Sequence, residues 1–119
     1  MSRRECEVTV GLEQYSAMER AFAERVERHL TVEQAVRLAN RVVDDVVRPL
    51  ARQRGAGEGR GCGLVEALAT LRRTGDERDV AGLLFHARKA VVDYCYARPG
   101  HADTIMDWAA GMWAEEAAP

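Results

Sequence analysis

A chain of 119 residues with 47% apolar content builds one domain around a single modest core and is too short for two. A net charge of -2 and a pI near 5.9 exclude the uniformly basic surface of a dedicated duplex binder. No stretch of eighteen apolar residues and no signal-peptide apolar run occurs, so a soluble, cytoplasmic protein with no membrane partner is expected.

Residues Glu5 to Val10 alternate polar and apolar, the period of a half-buried strand, so residues 1–11 are expected as an N-terminal arm or a short strand. From Leu12 to Leu30 the period turns helical: Leu12, Tyr15, Met18, Phe22, Val26 and Leu30 share a face, interrupted by Glu19. Thr31 opens the next helix as an N-cap with Gln34 completing a capping box. Its apolar stripe is Val32, Ala35, Val36, Ala39, Val42, Val43, Val46 and Leu50, and Glu33 with Arg37 and Asp44 with Arg48 stand at i,i+4 outside it. These two helices are expected to form an antiparallel hairpin. Pro49 lacks an amide hydrogen and its ring clashes with the preceding turn, which predicts a kink or stop near Val47.

The run RQRGAGEGRGCG follows, with glycine at every second position from 55 to 63. It neither propagates a helix nor packs a core, and residues 54–63 are expected as a flexible loop. Leu64 to Thr74 reads as a short third helix stopped by Gly75 at the C′ position, and Asp76 as the cap of the next. The last helix is expected from Ala102 to Glu115, after a break at Arg98, Pro99 and Gly100.

Between these lies Asp79 to Tyr96, on which the rest of the chain must converge. At 100° per residue, Val80, Leu83, Leu84, Ala87, Ala90, Val91 and Tyr94 form one stripe. Ala81, Phe85, Val92 and Tyr96 form a second, about 140° round from the first. A helix apolar over most of its circumference is either central or an interface. The whole reads as an all-α compact bundle of four to five helices, a single domain over residues 1–119, with the Gly-rich loop between helices two and three.

The chemistry-bearing patterns are sparse. Cys6, Cys62 and Cys95 are an odd number at wide spacings, which signals neither a disulfide framework nor a zinc site. The Gly-rich run lacks the preceding strand and the Gly-Lys-Ser/Thr ending of a phosphate loop. No second carboxylate helix completes the Glu24–Glu27 pair into a di-iron site, and neither a metal nor a cofactor is expected. Cys62, at the start of helix three, is the one candidate nucleophile of a thiol enzyme, with His29, His86 or His101 as its base. Glu19, a carboxylate in an apolar stripe, is expected at a rim or beside an internal arginine.

The apolar excess of the last two helices therefore carries the main expectation. The chain is read as a non-enzymatic protein-interaction module, a subunit or adaptor binding a protein partner or itself through Phe85, Val92, Tyr96, Trp108 and Trp113. The alternative rests on charge: from Arg48 to Arg73 six arginines face two glutamates, and Arg52, Arg54, Arg60, Arg72 and Arg73 around the glycines are candidate nucleic-acid contacts. LTVEQAVRLANRV, beginning at Leu30, resembles a stretch in the small helical subunits of type III CRISPR effector complexes, and the Trp-bearing last helix is similar to their C-termini. That resemblance implies a small helical subunit of a nucleoprotein complex.

Overall fold

The computed structural model describes the backbone of residues 3–54 and 62–118 and the side chains of residues 13–52 and 63–118. Among these residues the fold is entirely helical and forms the expected all-α bundle. The Gly-rich loop, and the side chains of Cys6, Arg54, Arg60 and Cys62, lie outside the described residues.

The first helix is Arg3–Arg25. The segment expected as an arm or strand is thus its opening turns, and the physical reason is visible in the spacing. Val8, Leu12 and Tyr15 follow at i, i+4 and i+7, so the helical stripe continues upstream, whereas a lone strand would leave its backbone groups unpaired. Thr31 caps the second helix as expected: its hydroxyl accepts from the Gln34 amide and its own amide donates to the Gln34 side chain.

The second helix runs from Val32–Val42 through a wider π turn, Val43–Val47, into Arg48–Arg54. Pro49 sets that turn. Its ring would clash with the carbonyl four residues back, and the backbone widens just ahead of it, so that the Arg48 amide donates to the Val43 carbonyl, five residues back. The helix bends there and continues; it does not stop.

The third helix, Cys62–Thr74, ends at Gly75, which adopts φ +61° and donates its amide to the Leu71 carbonyl. Only glycine enters this left-handed region without strain. Asp76 then caps a single 3-10 turn, Glu77–Asp79, which leads into the central helix Val80–Ala97. A second 3-10 turn, Pro99–His101, separates it from the last helix, Ala102–Ala117.

All four other helices pack against the central one. The expected hairpin of helices one and two does not form: the first helix packs chiefly on the central helix and touches the start of the last. The second helix lies against the central, third and last helices, burying Ala35, Leu38, Ala39, Val42, Val46 and Leu50. Leu38 belongs to this stripe and was not expected there. Arg37 and Arg41 reach Glu116 and Glu115 at the end of the last helix, so Arg37 is engaged across helices and not with Glu33.

Phe22 and Trp113 meet edge to face, with ring centroids 5.2 Å apart, in the middle of the core. Truncating a buried aromatic leaves a cavity as well as losing transfer energy. Trp113→Ala should therefore destabilise the chain by about 3 to 5 kcal/mol, and the exposed Trp108→Ala by no more than about 0.5 kcal/mol. Urea midpoints of the two variants measure the difference, and similar shifts would contradict this assignment of core and surface.

Candidate functional site

The first and central helices run antiparallel along a seam that starts where Tyr15 meets the end of the central helix. The Tyr15 hydroxyl donates to Asp93 Oδ1 at 2.6 Å, and its ring stands edge-on to Tyr96 at 5.6 Å. Further along, Glu19, Arg20 and Ala23 of the first helix share a hollow with Phe85, Arg88, Lys89 and Val92. Two more hollows continue the line toward the other end, one between Glu24, Glu27, Arg28 and Leu84, the next between His29, Glu77, Val80 and Ala81. The three have volumes of about 230, 390 and 300 Å³. Strung along one seam, they suit an elongated side-chain row better than one compact ligand.

The first helix is what covers the second apolar stripe of the central helix. It crosses the stripe and leaves it part-open. Val92 is 1% exposed, whereas Phe85 is 45% and Tyr96 41% exposed. Leaving two aromatic rings half in water forgoes a share of the roughly 1.5 to 3 kcal/mol that each would contribute on full burial.

The five residues expected at a protein interface therefore separate. Phe85 and Tyr96 stay on one open face of the central helix. Val92 and Trp113, each 1% exposed, are core residues and present nothing to a partner. Trp108 is 47% exposed, but it belongs to the last helix, whose Glu115 on the same flank pairs with Arg41 of the second helix, so it lies away from the seam. Val65 is a further exposed apolar side chain, on the third helix.

Arg88 is the feature that composition did not single out. It is half-buried, lines two adjoining hollows, and has no ion pair among the described residues. Burial lowers its pKa, because the guanidinium loses water without gaining a countercharge. The signal was present in the sequence: Arg88 falls about 40° round from Leu84, inside the apolar sector between Cys95 and Val92. A lone cation there has a reason to be there.

The other candidates do not assemble. Glu19 is half-buried at the rim of the first hollow and makes no ion pair among the described residues. Of the loop arginines, Arg72 donates to Asn40 Oδ1 at 2.8 Å, while Arg52 and Arg73 are exposed. Of the histidines, His86 reaches the start of the third helix. Its ring packs so closely on Gly63 that an added Cβ would lie 2.5 Å from Nδ1. No group of three or more metal-ligating side chains stands together among the described residues, and no helix among them is long and apolar enough to cross a membrane.

No protein-family model, curated protein or solved structure matches the chain.

Cys95 is fully buried, and its thiol lies 3.7 Å from the Ala102 carbonyl. Burial pushes its pKa up to about 11, from an ordinary value of 9.0, against a smaller opposing pull from Arg25. As pH rises above 9 the unfolded chain gives up this proton while the folded chain keeps it. The unfolded state then binds fewer protons, and stability falls with pH until about 11. At about 1.4 kcal/mol per unit the loss across this window is roughly 2 to 3 kcal/mol. Cys95→Ala should flatten that part of the alkaline decline, read as the slope of unfolding free energy against pH. An unchanged slope would show that the thiol titrates normally.

Proposed function

We propose that the chain is a non-enzymatic helical docking module, a subunit or adaptor that binds another protein surface through the seam between its first and central helices. Phe85 is the anchor of that surface and Tyr96 extends it. The observation that carries this reading is the half-exposure of both rings on a helix that every other helix packs against. Exposed aromatics beside a hollow with arginine at its rim are the composition that protein interfaces concentrate. In this reading the face is formed by the central helix, with the first helix as its second wall.

Phe85→Ser combined with Tyr96→Ser should abolish self-association or co-purification of a protein partner while lowering the melting temperature by less than about 8 °C. Light scattering, affinity capture and calorimetry on the same preparations give both readings. If the double variant unfolds instead, both rings belong to the core and the docking reading fails.

A further inference from the structure

Resting on the docking reading, the charges along the seam identify what covers it. Several ionic side chains elsewhere are matched within the chain: Arg25 with Asp103 and Asp107, Arg37 and Arg41 with Glu115 and Glu116, Arg48 with Asp44. At the seam they are not. The first helix brings Glu19 and Glu24, the central helix brings Arg88 and Lys89, and none of these makes an ion pair among the described residues. At the far end Arg28 and Glu77 line one hollow, also without an ion pair. Arg20 is the exception, a cation on the acidic line.

Because the two helices are antiparallel and side by side, a half-turn about an axis lying in the exposed face and parallel to them exchanges their positions at constant height. The first helix of one copy then lies over the central helix of the other. Residues that share a hollow within one chain become partners across the axis. Glu19 comes to face Arg88 and Lys89 of the second copy, and Arg28 comes to face Glu77. Phe85 comes to face Ala23, whose methyl leaves room for the ring. We propose that the seam closes on a second copy of this chain in a two-fold dimer, with Phe85 of each copy seated over Ala23 of the other and Glu19 paired with Arg88 and Lys89.

Other occupants match half of this pattern. An acidic helix would gain at Arg88 and Lys89 and be repelled by Glu19, Glu24 and Glu27; phosphates of a nucleic acid would meet the same three carboxylates. A second copy satisfies both rows, as an isologous contact requires. The seam from Val80 to Tyr96 is about 24 Å long and two helices about 20 Å wide. That gives on the order of 1,000 Å² in total, the lower end for a specific interface, so the dimer is reversible and concentration-dependent.

Sedimentation velocity of the full chain over a dilution series tests this. The wild-type coefficient should rise from monomer to dimer with concentration, and Glu19→Lys or Lys89→Glu alone should weaken association at least about tenfold, through two like-charge contacts per dimer. An equimolar mixture of Glu19→Lys and Lys89→Glu chains should associate again, because each bears the complement of the other. Damage to folding cannot produce that recovery. A wild-type chain that stays monomeric throughout overturns the inference and leaves the face to a different protein; a dimer whose two charge variants do not recover on mixing overturns the proposed pairing.

Discussion

One helix without a polar back decides this fold. The central helix is apolar over most of its circumference, so no arrangement that packs it on one side is stable, and every other helix is drawn onto it. Three of them, the second, third and last, enclose its main stripe with Leu38, Leu71, Met112 and Trp113. The remaining stripe falls to the first helix alone. A single cylinder crossing another covers a limited length, which is why Val92 is sealed while Phe85 and Tyr96, one turn or more to either side, are not. The Tyr15 to Asp93 hydrogen bond fixes the crossing at one end and the Arg25 contacts to Asp103 and Asp107 fix it at the other.

That incomplete cover is also where the electrostatics are incomplete. A guanidinium that is half withdrawn from water and has no countercharge among the described residues is poorly placed for a free surface, and arginine is the cation best suited to a carboxylate brought from outside. Arg88 and the open rings lie along the same seam. Apolar exposure and unmatched charge at one place are what the proposed docking surface rests on, and the antiparallel helix pair is what makes an identical chain the proposed partner.

Most of the fold was legible in the sequence because its signals are local. The Thr31 cap, the left-handed Gly75, the break at Arg98 to Gly100 and the disturbance ahead of Pro49 each depend on residues within a turn of one another. What periodicity does not carry is which helix answers which stripe. The first two helices follow each other through a short connection, and sequence adjacency suggested a hairpin; the demand of the central helix for a cover on its second side prevailed. The same gap explains the interface set. Val92 and Trp113 have the character of contact residues, and only tertiary packing shows that the chain itself consumes them, whereas Arg88 was visible as a charge in an apolar sector and carries the unmatched charge of the seam.

Hydroxyl-radical footprinting of the intact chain across a dilution series tests most directly whether the seam closes on a second copy of the chain. Its aromatics supply their own references: Trp113 is enclosed within one chain, and Trp108 is exposed away from the seam. The proposed dimer predicts that Phe85 and Tyr96 oxidise readily in dilute solution and become protected as concentration rises, while Trp108 stays reactive and Trp113 stays protected throughout. Phe85 and Tyr96 as reactive as Trp108 at every concentration, or as shielded as Trp113 even in dilute solution, would contradict it.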